Sequence, residues 1–274
     1  MSMIQAIVLG LIQGLTEFIP VSSTAHLKII PEILGWGDPG APVSAVIQFG
    51  TVLAAIIYFA RDIIRIAIGF FRGLFTRRLM NDPDFADSWY VIIGTIPIVV
   101  LGLALKKTIE TTFRSTWIVT FMIIFVAVLL QLAESYATRR AFRDESDFNA
   151  KDVATMGLGQ CLALIPGASR SGSTLMAAFF RRVPREKAAR FSFIMSLPAI
   201  TGAGVFELMS ERAHFASIGM VPIVVSIVAA FISGWASIWF LLRYLRTHST
   251  HIFIYYRYGL GAVMIALLAG GILK

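Results

Sequence analysis

Six apolar runs dominate this chain, at residues 43–60, 88–105, 117–134, 191–207, 217–242 and 252–273. A helix needs roughly 20 apolar residues to cross a hydrocarbon core of about 30 Å, and somewhat fewer where its ends are polar. The runs therefore predict six transmembrane helices. Composition agrees: 57% of the 274 residues are hydrophobic and 15% are charged, where a soluble chain carries about a quarter charged. Cys161 is the only cysteine. An internal disulfide is excluded, a small buried hydrophobe is expected there, and no Cys/His cluster points to zinc.

The flanks of the runs are basic in a systematic way. Arg61, Arg65, Arg72, Arg77 and Arg78 follow the first run, and Arg139, Arg140, Arg143 and Lys151 follow the third. Arg181, Arg182, Arg185, Lys187 and Arg190 precede the fourth, and Arg243 and Arg246 follow the fifth. Cytoplasmic loops of membrane proteins are enriched in Lys and Arg. Placing all four groups inside gives alternating spans, with Lys106, Lys107 and Arg114 as the one basic cluster left outside. Residues 75–88 and 138–152 read as solvated loops. The net charge of +8 is thus expected to meet anionic lipid, not nucleic acid. The first basic side chain is Lys28, so no cleaved signal peptide is expected. The N-terminal end is expected to face away from the cytoplasm.

Two apolar stretches remain, residues 1–30 and 153–180. Each is interrupted by Pro and by Ser, Thr and Gly before it completes a crossing. Broken backbone at membrane depth is tolerated where it is buried in protein or lines a wet cavity. Both stretches read as re-entrant helix pairs that enter and leave on one side. They also resemble each other: GLIQGLTEFIPVSST (10–24) and GLGQCLALIPGASRS (157–171) share G-L-x-Q-x-L, then I-P, then two residues and a Ser, with one deletion. Three runs follow each stretch, and an odd number turns the second copy upside down. Inverted repeats with interrupted helices meeting near the midplane build the binding sites of many transporters. The expected fold is an all-α integral membrane protein, one membrane domain over 1–274. It has six transmembrane helices plus two re-entrant helix pairs in an inverted-topology repeat, copy one about 1–137 and copy two about 150–274.

The polar tips of the two pairs carry the chemistry. The first holds Glu17, Ser22, Ser23, Thr24 and His26; the second holds Ser169, Arg170, Ser171, Ser173 and Thr174. Ionisable groups at membrane depth are costly and mark functional sites. A structural ion pair between Glu17 and Arg170 is the plainer reading, but it leaves the hydroxyls unexplained. Arg presents a planar fork matched to phosphate oxygens. Gly172 and the hydroxyls add neutral donors, and the helix expected to follow favours an anion at its N-terminus. Ser23 and His26 stand one helical turn apart. His can take a proton from a hydroxyl or from water, and Glu17 could orient the imidazole or hold a divalent cation. Nucleophile, base, orienter and anion clamp together fit phosphoryl transfer. His214, His248 and His251 read as solvated or interfacial, and Tyr255, Tyr256 and Tyr258 as an interfacial aromatic belt.

QGLTEFIPVSSTAH (13–26) and PGASRSGST (166–174), with VIQFGTVLA (46–54), resemble the undecaprenyl pyrophosphate phosphatases of the bacitracin-resistance type. The likeness covers the full length. It implies hydrolysis of undecaprenyl pyrophosphate to the monophosphate and inorganic phosphate, assisted by a divalent cation, Mg²⁺ or Ca²⁺. Carried over by position, Glu17, Ser23, His26 and Arg170 are the catalytic set, with Glu17 the metal ligand. Gln13, Ser22, Thr24, Ser169, Ser171, Gly172 and Thr174 support substrate binding. Gln13 stands where many relatives have Glu, so a metal site here has one carboxylate fewer from this motif.

The resulting expectation is a multi-pass plasma (inner) membrane enzyme whose cavity opens outward, on the side of residues 20–42. Its partners are the polyprenyl pyrophosphate substrate and membrane lipids, with a homodimer as one assembly open to the chain. The alternative is a transporter or flippase of a polyprenyl phosphate or small anion using the same inverted site. A carrier has no need of the Ser23, His26 and Glu17 set.

Overall fold

The computed structural model describes residues 1–38, 40–75, 82–210 and 219–273. Among them there are helices and turns but no strand. Arg77, Arg78 and His214, and the first residues of the run at 217, lie outside the described residues. In chain order the helices are α1 (Met3–Phe18), α2 (Ser23–Ile33), α3 (Gly40–Tyr58), α4 (Ala60–Phe75), α5 (Pro83–Ala104) and α6 (Lys106–Glu110). There follow α7 (Thr116–Arg140), α8 (Ala150–Gln160), α9 (Arg170–Phe180), α10 (Arg185–Ser210), α11 (Met220–Leu245) and α12 (His251–Ala269).

Five of these, α5, α7, α10, α11 and α12, are each long and apolar enough to cross a membrane. They cover five of the six expected runs. The first run is displaced by two or three residues toward the N-terminus. It becomes α3, and a 73° bend separates α3 from α4. The bend falls where Arg61, Asp62 and Arg65 end the apolar sequence, making α4 amphipathic instead of buried. Residues 83–88 of the loop expected at 75–88 are helical, because Asp82 caps α5 through Asp84 N and Pro83 takes the first helical position, where its missing N–H costs nothing; residues 76–81 lie outside the described residues.

The two broken stretches each fold as helix, break, helix. α1 and α8 both start from a capping box, on Ser2 with Gln5 and on Asn149 with Asp152. Ile19–Pro20 ends the first, since proline lacks the N–H a helix needs and pushes its predecessor out of helical geometry. A 3₁₀ turn, Cys161–Leu164, and then Ile165–Pro166 follow the second. α2 and α9 are both 11 residues long. Their N-caps, Ser22 and Ser169, share an unusual backbone, φ 75° and 69°, a region that disfavours side chains. Ser22 and Ser169 stand the same interval apart as Ser2 and Asn149. The two segments therefore align without the deletion expected from the sequence pattern, with Ser22 opposite Ser169. Backbone geometry, not the I-P dipeptide, sets the register.

α1 lies against α11 with the closeness that small residues permit. A Cβ on Gly14 would sit 1.9 Å from Ser233 Oγ and 2.5 Å from the Ala230 carbonyl oxygen. Gly14→Val is therefore expected to cost about 2–3 kcal/mol through overpacking, read as a lower denaturation midpoint in detergent. α8 meets α5 similarly, a Cβ on Gly157 falling 2.7 Å from the Gly94 carbonyl oxygen.

Polar contacts gather the basic groups at one end of the molecule. Arg190 pairs with Asp62 at 2.6 Å, Arg246 with Glu186 at 2.9 Å, and Arg143 N donates to the Arg182 carbonyl at 2.8 Å. Buried Asp152 pairs with Arg143 and Arg181, and buried Glu134 with Arg185. At the opposite end of α7, Arg114 pairs with Asp38 at 2.7 Å and its carbonyl accepts from Lys28. Cys161 is half-buried, its thiol directed to the Gly157 carbonyl. His248 and His251 lie at the α11–α12 turn, hydrogen-bonded to Thr247 and Ser249.

Candidate active site

The last turn of α1 and the first turn of α9 meet at Glu17. Its buried carboxylate is ion-paired with Arg170 Nη2 through Oε1, which also accepts from Gln48 Nε2 at 2.8 Å. Oε2 accepts from Gln13 Nε2 and from Ser23 Oγ, both at 2.8 Å. Gln13 reaches it because residues four apart share a helix face; Ser23 reaches it because the Pro20 break folds α2 back. An unpaired carboxylate here would be prohibitively desolvated. With four donors it is held in one orientation.

Arg170 is tied at one end only. Nη2 bonds Glu17, whereas Nη1 is buried without a hydrogen-bond partner. Buried donors are normally satisfied, so a guanidinium with one anchored and one unpaired nitrogen is suited to receive an anion's oxygen. The plainer reading, a mere structural pair, leaves that nitrogen and the convergence of Ser23 unexplained.

His26 is buried on α2. Its Nδ1 lies 2.7 Å from the Ser22 carbonyl oxygen, which can only accept, so Nδ1 carries the proton. Nε2 lies 2.6 Å from the Tyr256 hydroxyl, and the two rings stack at 5.7 Å. Glu17 thus holds Ser23 and Arg170, not the imidazole, which takes its orientation from Ser22 and Tyr256.

The other expected residues divide by what they touch. Ser22 Oγ accepts from Ala25 N, and Ser169 Oγ accepts from Gly172 N at 3.2 Å. Ser171 Oγ donates to the Ile19 carbonyl at 3.3 Å, bridging the two breaks. Thr174 donates to the Arg170 carbonyl within α9. These hydroxyls build the turns; Thr24 is exposed. At the same distances from its cap, the second pair carries Leu164 and Ser173 where the first carries Glu17 and His26. The two helix pairs share their caps and lengths but not these side chains.

Three residues escaped the sequence reading. Gln48 and Arg257 are polar groups inside apolar runs, a signal that was available. Arg257 is fully buried: Nε donates to Ile123 O at 3.0 Å and Nη1 to Pro20 O at 3.3 Å. Nη2 donates to the carbonyls of Met122, Gly167 and Ala168. One guanidinium therefore holds α7 and both breaks. Tyr256, read as part of an aromatic belt, turns to His26, and Tyr258 donates to Gln131. Nothing in the local sequence marks them.

For a divalent cation the donor set is one carboxylate, the carboxamides of Gln13 and Gln48, and the Ser23 hydroxyl. All supply hard oxygens of the kind Mg²⁺ and Ca²⁺ prefer. Among the described residues no group of three His, Cys, Asp or Glu converges. A cation here would need oxygens from a phosphorylated ligand to complete its shell.

Fold and site together define an all-helical multi-pass membrane protein in which a buried carboxylate–guanidinium pair joins two broken helices. Residues 6–263 match the model of the bacitracin resistance protein BacA family, and the chain belongs to that family. It is 48% identical to an undecaprenyl-diphosphatase of Chloroherpeton thalassium, covering 100% of this chain and 99% of the relative. It is 47% identical to an undecaprenyl-diphosphatase of Myxococcus xanthus (99% and 91% covered) and 46% to one of Chlorobaculum tepidum (99% and 99%).

Proposed function

We propose that this protein is a membrane phosphatase that hydrolyses undecaprenyl pyrophosphate to undecaprenyl phosphate and inorganic phosphate. The step returns the lipid carrier to cell-wall synthesis and confers bacitracin resistance. The observation that carries the reading is the Glu17–Arg170 contact, which sets an anion clamp against Ser23. The polyprenyl tail lies among the helices while its pyrophosphate enters the hollow between the breaks. Arg170 Nη1 takes an oxygen of the terminal phosphate and stabilises charge developing there.

Ser23 Oγ attacks the terminal phosphorus, and its proton passes to the Glu17 carboxylate to which it already donates. The phosphoanhydride P–O bond breaks and undecaprenyl phosphate leaves. His26 Nε2 then takes a proton from the water that frees inorganic phosphate. A divalent cation, with Glu17 as its protein ligand and phosphate oxygens completing its shell, would neutralise phosphate charge.

The inverted-topology reading is supported by the matched caps and helix lengths of α1–α2 and α8–α9. Contacts at opposite ends of α7, Lys28 with the Arg114 carbonyl for the first pair and Arg182 with the Arg140 carbonyl for the second, also support it. In this arrangement the paired helices are re-entrant and enter from opposite faces. Placing the end rich in arginine in the cytoplasm opens the cavity outward from a plasma (inner) membrane. A homodimer is compatible with this arrangement.

Phosphate release by detergent-purified protein tests the reading. His26→Ala and Arg170→Ala are each expected to lower it at least about a hundredfold. Unchanged release in both variants refutes the assignment, and uptake into liposomes without release favours a carrier.

A further inference from the structure

α12 places Tyr256 against His26, and its surroundings say what it does there. The Ser22 carbonyl requires a proton on Nδ1 of His26, so in the neutral ring Nε2 is the nitrogen with the lone pair. The Tyr256 hydroxyl, 2.6 Å away, is then the donor to Nε2. The phenol is half exposed, so its hydrogen bond is not forced by burial. Its position is nonetheless fixed, because the next residue is Arg257, bonded to five carbonyl groups on three separate stretches of chain. A side chain can aim a reacting group only if its own backbone is held, and on α12 that hold is one residue away.

We infer that Tyr256 is a positioning residue for the hydrolysis: it engages Nε2, the nitrogen that the Ser22 carbonyl leaves as the acceptor, and holds the His26 ring in plane. The inference rests on the assignment of His26 to proton transfer. When water gives up its proton, the phenol passes its own proton to Nε2 and takes the one from water, so that it stays bonded to the same nitrogen, now as acceptor. No charge is lost and no further proton acceptor is needed. The hydroxyl thus serves both protonation states, which a phenylalanine at this position cannot.

The test is Tyr256→Phe, which keeps the ring and its stacking. With polyprenyl pyrophosphate as substrate, kcat is expected to fall about tenfold, the value of one well-placed hydrogen bond. KM should change less than about threefold, and the denaturation midpoint should stay at the wild-type value. In ¹⁵N spectra of labelled histidine, the Nε2 resonance of His26 should shift as it loses the phenol's hydrogen bond, while Ser22 keeps the proton on Nδ1. Wild-type kcat and an unchanged imidazole spectrum overturn the inference. His26→Ala, run alongside, separates the two ideas. If it retains release, the reading of His26 itself has failed; if it is inactive while Tyr256→Phe is unaffected, only the role of Tyr256 has.

Discussion

Glu17→Gln is expected to destabilise the protein by about 3–5 kcal/mol, the cost of leaving one member of a buried ion pair uncompensated. The reason is visible in the donors. Arg170, Gln13, Gln48 and Ser23 all direct hydrogens at this carboxylate, and a carboxamide turns its own NH₂ into that group. The denaturation midpoint in detergent checks the first part. Phosphate release checks the second: activity should fall below about one hundredth, since Ser23 loses its proton acceptor and Arg170 its anchor. The double variant Glu17→Gln/Arg170→Met should regain much of the stability and none of the activity. A Glu17→Gln single variant as stable as wild type would show that another group compensates Arg170.

Arg257→Met should be as damaging without touching the substrate. The change leaves the buried carbonyls of Pro20, Gly167 and Ala168 without the Arg257 donor, and takes a second hydrogen bond from Met122 and Ile123, whose carbonyls keep their helical partners. Each unsatisfied buried group costs about 1–3 kcal/mol. Relaxation of the two breaks recovers part of this, so a net loss of about 4 kcal/mol is expected, with near-complete loss of phosphate release. Arg257→Lys should fall between, because an ammonium has three donors and no fork. Chemical denaturation of both variants in detergent measures the ranking. Equal stability of wild type and Arg257→Met would mean that the breaks hold themselves.

The expected spans survive because hydropathy is summed along the chain and does not depend on neighbours: five of the runs are helices long enough to cross. Where local competition decides, the reading shifts. Arg61 and Asp62 bend α3 into α4, and Asp82–Pro83 starts α5 earlier than its apolar residues do. The site shows the same division. Glu17, Ser23, His26 and Arg170 stand out as ionisable or nucleophilic groups in broken apolar sequence, and the structure brings Glu17, Ser23 and Arg170 into direct contact. Of the two roles left open for Glu17, orienting the imidazole or holding a cation, the first finds no contact here, because the carboxylate turns to Ser23 and Arg170.

Broken apolar stretches, basic flanks and paired motifs are properties of consecutive residues, and from them alone the membrane class, the number of long helices and most of the reactive groups can be named. The partners of those groups cannot. Glu17 and Arg170 are 153 positions apart, and His26 and Tyr256 are 230 apart. Such pairs are made only when helices distant in the chain pack together. Tertiary packing therefore decided that Arg170 keeps one nitrogen unpaired, that Tyr256 faces an imidazole instead of lipid headgroups, and that Arg257 ties both breaks, since hydrogen-bond geometry depends on positions in space and not on order along the chain.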